Sequence, residues 1–191
     1  MRIMTVAAEP DRRLVLLRHA KSAWPDVPDL PDHERPLAQR GRRDAPEVGR
    51  WLRTADLIPD LVVCSTARRA RETWQLVQSG LGAAPPVRFD DRVYETSAAR
   101  LLALIRREPP TVRTLLVVGH DPAVSGLALT LAEEAPDERP AGGPGTAPAD
   151  PLDRMRIKFP TAALAVLACA GSWDALGPGS AWPTCFRTPR D

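Results

Sequence analysis

Lysine is nearly absent from this chain. Only Lys21 and Lys158 occur, so 24 of the 26 basic residues are arginine. A GC-rich genome would bias codons that way, and toward the 21 prolines, so the scarcity names no function. It does make the fixed positive charge almost wholly guanidinium, the planar, bidentate kind suited to phosphate. Net charge is scarce too: at +2 there is no overall field to draw in nucleic acid or an anionic membrane. Aromatic residues make up 5%, which, with that charge, excludes RNA binding through "RGRRDAPEVGRWLR" (40–53). No apolar run approaches the ~18 residues of a membrane span. "MRIMTVAAEPDRR" lacks an apolar core long enough for a signal peptide, so the expected location is cytoplasmic. Cys64, Cys169 and Cys185 are odd in number and widely spaced. Cys64 and Cys169 lie in apolar runs and read as core residues, not as a disulfide framework or metal site.

What is present suits one soluble domain: 191 residues, 43% hydrophobic and 26% charged. Short apolar runs recur at "LVLL" (14–17), "LVVC" (61–64), "TLLVVG" (114–119) and "ALAVLAC" (163–169). Each has the length of a buried strand, and none alternates cleanly, as expected when both sheet faces are covered. Helical stripes lie between them: Val48, Trp51, Leu52, Ala55; Ala70, Trp74, Val77, Leu81; Leu101, Leu104, Ile105; and Val124, Leu127, Ala128, Leu131. Pro46 predicts a first turn or a kink. The alternation predicts a doubly wound α/β domain over residues 13–191. Residues 1–12 are expected to fray. The stretch 133–153, rich in proline, glycine, alanine and acid, is expected to be a long surface loop.

In such a sheet, ligands bind beyond the carboxyl ends of the strands. The first strand delivers Arg18 and His19 there, and the second delivers "STARRARET" from Ser65. The last parallel run delivers Gly119-His120-Asp121-Pro122, and "VYETS" brings Glu95 after "VRFDDR". Singly, each has a bland reading. A histidine after a strand is more often structural, the reading kept for His33, and "RRAR" (68–71) resembles a solvated helix face. Their convergence on one edge favours a phosphate site.

These motifs resemble the histidine phosphatase (phosphoglycerate mutase-like) superfamily, in its SixA-like branch. "LLRHAKSAW" resembles its Arg-His signature and "DHERPLAQRG" its Arg-Pro-Leu…Gly segment. "CSTARRARET" fits its Ser-x-x-x-Arg-Ala-x-x-Thr pattern and selects Arg69, not Arg68, as the inward arginine. "VVGHDP" resembles its second histidine motif, and "KFPTAALAVL" and "PRD" resemble short SixA-type members. The resemblance implies a three-layer α/β/α sandwich with a mostly parallel central sheet. It implies His19 as a nucleophile that forms a transient phosphohistidine, with its tautomer fixed by a hydrogen bond to the other ring nitrogen. Arg18, Arg69 and a protonated His120 are then expected to bind the phosphoryl oxygens, with a further contact from Arg35. Glu95 takes the place of the proton donor to the leaving group. Neither metal nor cofactor is implied, since arginine supplies the charge.

The chain departs from the mutases and sugar-phosphate phosphatases at Ala20 and Pro25, where glycine and asparagine are usual. It is also short for a mutase. The expected substrate is therefore a phosphohistidine protein. Small phosphomonoesters, or a non-catalytic phosphate- or partner-binding module of the same fold, stand as alternatives. A serine hydrolase lacks its Gly-x-Ser-x-Gly elbow, and three scattered histidines do not make a zinc site.

Overall fold

The computed structural model describes residues 12–24, 29–132 and 150–189. Among them, six strands form one sheet: β1 (Arg12–Arg18), β2 (Leu61–Ser65), β3 (Val87–Asp90), β4 (Thr114–Gly119), β5 (Leu164–Cys169) and β6 (Ala181–Arg187). Their order across the sheet is β3-β2-β4-β1-β5-β6. The pairs β1·β4, β2·β4 and β2·β3 are parallel, whereas β5 runs antiparallel to both β1 and β6. Five helices cover the sheet: α1 (Gln39–Thr54), α2 (Arg68–Leu81), α3 (Ala98–Ile105), α4 (Ala123–Ala132) and α5 (Pro151–Ile157).

Strand side chains alternate between two cores, as the period of two requires. Val15, Leu17, Val62, Cys64, Leu116 and Val118 pack against α1 and α2. Leu14, Leu16, Val63, Leu115 and Val117 pack against α3, α4 and α5. The result is the expected three-layer sandwich. Helices α1 and α2 meet backbone to backbone. A Cβ added at Gly49 would lie 1.9 Å from the Val77 carbonyl oxygen, and one at Gly80 would lie 2.1 Å from that of Pro46. Pro46 sits well inside α1 rather than in its first turn. Ala55, counted with the α1 stripe in the sequence, lies past the helix end and is exposed.

Two expected boundaries move. Arg12 is not part of a frayed end but opens β1, and its guanidinium donates to the carbonyl oxygens of Pro110 (3.1 Å) and Gly171. Residues 1–11 lie outside the described residues. The expected loop 133–153 ends earlier than its composition suggested, because Asp150 accepts from the Leu152 N–H (2.9 Å) and starts α5 with Pro151 in its first turn. Residues 133–149 lie outside the described residues. No helix among the described residues is long and apolar enough to cross a membrane.

Candidate active site

Parallel register brings the two strand-end histidines together. Arg18 pairs with Gly119 across β1·β4, and the His19 N–H donates to the Gly119 carbonyl oxygen (3.0 Å). His19 and His120, each one residue further on, have ring centroids 5.1 Å apart. Ser65, at the end of β2, completes the row, with its Oγ 2.8 Å from His120 Nε2.

Hydrogen-bond chemistry assigns the His19 tautomer. His19 Nδ1 lies 2.7 Å from the Ala20 carbonyl oxygen, which only accepts, so Nδ1 carries the proton and Nε2 keeps its lone pair. This is the tautomer-fixing bond that the sequence led one to expect. At His120, Nε2 lies 2.8 Å from Ser65 Oγ, which also accepts from the Ala67 N–H (3.3 Å). His120 Nδ1 is buried and has no partner among the described residues. Burial pushes the His19 pKa down to about 4, and the Arg69, Arg18 and Arg35 charges act the same way against the Ala20 bond. Burial pushes His120 to about 3, with His19 and Arg69 adding to it. Both rings are therefore neutral at pH 7. In the free protein burial disfavours the charge of His120, whereas the protonated form was expected on bound phosphate.

The arginines arrive from three directions. Arg18 Nη1 donates to the Phe159 carbonyl oxygen (2.6 Å) and lies 3.5 Å from Asp121. Arg69 lies in the first turn of α2 and is buried. Its two Nη groups donate to the backbone oxygen (2.6 Å) and the carboxylate (2.9 Å) of Asp32. Arg68, its neighbour, points to solvent and pairs with Glu72 (2.9 Å). The choice of Arg69 as the inward residue matches this placement. Arg35 is buried but already engaged: Nε donates to Ala23 O (3.1 Å), Nη1 to Asp32 (2.9 Å) and Nη2 to Ser22 Oγ (2.8 Å). Its guanidinium also lies 3.2 Å above the exposed Trp24 ring. Arg35 is thus placed to hold Asp32, not to reach freely for a ligand.

Asp32 is the residue that sequence reading missed. Its carboxylate accepts from Arg35, from Arg69 and from the Tyr94 hydroxyl (3.0 Å). Burial alone would raise its pKa, but hydrogen bonds from Arg35, Tyr94 and Arg69 overcome this and hold it at about 2. The signal was its place three residues before Arg35, which lets one 3-10 turn (Asp32–Glu34) close the pair. Tyr94 was missed as well. Its ring stands edge-on to His120 (5.6 Å) and to His33 (4.9 Å). His33 has both ring nitrogens engaged, with Thr66 Oγ1 and Glu34 each at 3.0 Å, consistent with the structural reading, though at the rim of the site.

Glu95 joins the rim of this cluster through Tyr94, whose hydroxyl pKa is pushed up to about 12 by burial, by Asp32 and by a hydrogen bond with the Glu95 carboxylate. The Glu95 backbone adopts a left-handed φ of 48° directly after Tyr94, and the residue lines a neighbouring cavity of about 360 Å³. The structure thus gathers His19, His120, Arg18, Arg69 and Arg35 at one sheet edge and sets Glu95 beside them across Tyr94.

Comparison with known proteins places this geometry. The family model described as the histidine phosphatase superfamily (branch 1) matches residues 14–109. An uncharacterized protein of Mycobacterium tuberculosis is 43% identical over 174 residues, covering 91% of this chain and 100% of that one. An uncharacterized protein of Mycobacterium leprae is 42% identical over 176 residues, with the same coverage. Among solved structures, a putative phosphohistidine phosphatase SixA from Nakamurella multipartitia is similar with a TM-score of 0.77 at 33% identity. That match covers 95% of this chain and 99% of the other. A SixA protein histidine phosphatase complexed with tungstate shares the fold, with a TM-score of 0.66 at 21% identity over 93% and 97% of the two chains.

Proposed function

The chain belongs to the histidine phosphatase superfamily, in its SixA-like branch, and is a phosphatase; we propose that it removes phosphate from protein phosphohistidine in the cytoplasm, with His19 as nucleophile. The observation that carries this reading is the 2.7 Å bond from His19 Nδ1 to Ala20 O, which leaves Nε2 unprotonated and free to attack. Nε2 attacks phosphorus in line, the bond from phosphorus to the leaving nitrogen breaks, and a phospho-His19 intermediate forms. Water then attacks the phosphorus, orthophosphate leaves, and His19 recovers its lone pair.

Arg18, Arg69 and His120 hold the three equatorial oxygens, where charge gathers in a loose phosphoryl-transfer transition state. Arg35 acts through Asp32, which orients Arg69. Glu95 donates a proton to the leaving group. An alkoxide is strongly basic, so a positioned acid contributes roughly 10²–10⁴ to its departure. An imidazole leaving phosphohistidine can carry its own ring proton and needs little help. Cys64, Cys169 and Cys185 form no disulfide, which suits a reducing compartment.

The test is kcat/KM for a phosphohistidine protein and for an alkyl phosphate, in wild type, His19→Ala and Glu95→Gln. His19→Ala is expected to abolish both activities. Glu95→Gln is expected to cripple alkyl phosphate hydrolysis and to slow phosphohistidine hydrolysis modestly. A wild type that turns over only alkyl phosphates removes the phosphohistidine assignment, and an active His19→Ala removes the mechanism.

A further inference from the structure

The cavity beside Glu95 has a composition that phosphoryl transfer does not call for. Its walls include Tyr94, Glu95 and Thr96 on one side and Arg100, Leu104 and Arg107 on the other. Residues 100, 103, 104 and 107 follow the i, i+3, i+4, i+7 spacing, so one continuous face of α3 and the turn after it looks into the cavity. Neither Arg100 nor Arg107 has a carboxylate partner among the described residues. This contrasts with Arg92 on the same cavity, whose guanidinium is neutralised by Asp90 (2.7 and 2.9 Å). Thr96 also lines the cavity.

The two guanidiniums are donors only. The group that satisfies them together is a small oxyanion with several lone pairs. Leu104 and Ala103 supply an apolar patch for the carbon stem that carries it. The volume, about 360 Å³, is within the range that holds an organic moiety rather than a lone ion. Tyr94 is shared with the catalytic cluster: its ring lies 5.6 Å from that of His120 while it also lines the cavity. Any occupant is therefore a near neighbour of the group being dephosphorylated.

We propose that this cavity is a specificity subsite for a carboxylate carried by the substrate, and that the carboxylate is an acidic side chain flanking the phosphohistidine. The subsite rests on the phosphohistidine reading for the source of the carboxylate but not for its chemistry. Arg100 and Arg107 bind the carboxylate through charge-assisted bonds, and Tyr94 separates it from the phosphoryl group. Glu95, on the same wall, repels a carboxylate in its own immediate vicinity and so favours seating on the α3 side.

The experiment uses two matched pairs with full-length wild type and the Arg100→Ala/Arg107→Ala double variant. One pair is a phosphohistidine polypeptide with Glu or with Gln beside the modified residue. The other is a small alkyl phosphate bearing a carboxylate or its amide. Wild type is expected to prefer the Glu polypeptide by about tenfold in kcat/KM, the worth of one good charge-assisted interaction. The double variant is expected to lose that preference while the Gln polypeptide changes by less than about twofold. Raising ionic strength shrinks the preference in wild type only, because these arginines are exposed. Arg100→Glu/Arg107→Glu is expected to invert it. If neither pair shows a charge preference sensitive to these residues, the subsite is refuted. If the small pair alone shows it, the carboxylate subsite holds and its assignment to a polypeptide falls. A wild type inactive on both polypeptides ends the phosphohistidine reading, and the small pair then decides the subsite alone.

Discussion

Arg69 holds Asp32 at two points, its backbone oxygen at 2.6 Å and its carboxylate at 2.9 Å. The same carboxylate takes Arg35 and the Tyr94 hydroxyl. A residue 37 positions away in sequence thus sets where the buried guanidinium of α2 lies.

Asp32→Asn is accordingly expected to act as a positioning defect. Hydrogen bonds to a charged group are worth about 1.5–3 kcal/mol, so kcat/KM should fall on the order of tenfold or more. A tungstate titration should weaken in parallel. Unchanged kcat/KM together with unchanged tungstate affinity would show that Arg69 keeps its aim without Asp32.

Arg68 and Arg69 are adjacent but not equivalent. Arg69→Ala is expected to lower kcat/KM by two orders of magnitude or more, since a buried, phosphate-facing donor is lost (roughly 3 kcal/mol). Arg68→Ala removes a solvent-side pair with Glu72, worth about 0.3–0.5 kcal/mol, and should leave kcat/KM within about twofold. The reverse pattern would shift the motif register by one.

The pH dependence follows from the two buried imidazoles. Both folded-state pKa values lie below the ordinary 6.5, at about 4 for His19 and about 3 for His120. Below pH 6.5 the unfolded chain takes up protons that the folded chain refuses. Stability is therefore full above 6.5 and declines as pH falls toward 4, by up to about 1.4 kcal/mol per pH unit for each ring. The acid limb of kcat/KM attributable to His19 should likewise fall below pH 5, not near 6.5. A titration of both rings by NMR checks this, and ordinary values near 6.5 would contradict it.

Gly49 and Gly80 permit the α1·α2 contact. Gly49→Ala places a methyl 1.9 Å from the Val77 oxygen. Backbone must move, so a cost of about 1–3 kcal/mol is expected, read as a lowered Tm. Gly126→Ala, whose Cβ meets only the Ala98 side chain at 3.4 Å, should be nearly neutral.

The four apolar runs and the helical stripes were legible because burial on both faces of a sheet, or on one face of a helix, leaves a local pattern. β6 was not. "AWPTCFR" is an edge strand whose Pro183 falls at a register shift opposite Val166 and Leu167, so it shows neither an apolar run nor clean alternation. The antiparallel direction of β5 also leaves no local mark, since a fully buried strand reads alike both ways. At the site, strand-end residues were legible from their position after each run. Asp32 and Tyr94 were not, because their importance arises from partners 37 and 62 residues away.

β1 lies inside the sheet, flanked by β4 and β5 and covered on both faces, whereas β3 is an edge strand with Val87 and Phe89 exposed. Amides of β1 can exchange with solvent only when the whole domain opens, while β3 can peel from β2 by itself. Glu95 follows that peeling edge; Arg18 and His19 hang from the strand that opens last. Warming short of the melting transition is thus expected to disturb the proposed proton donor before the proposed nucleophile. Over that interval the enzyme still transfers phosphoryl groups, but its repertoire narrows to leaving groups that depart without an acid.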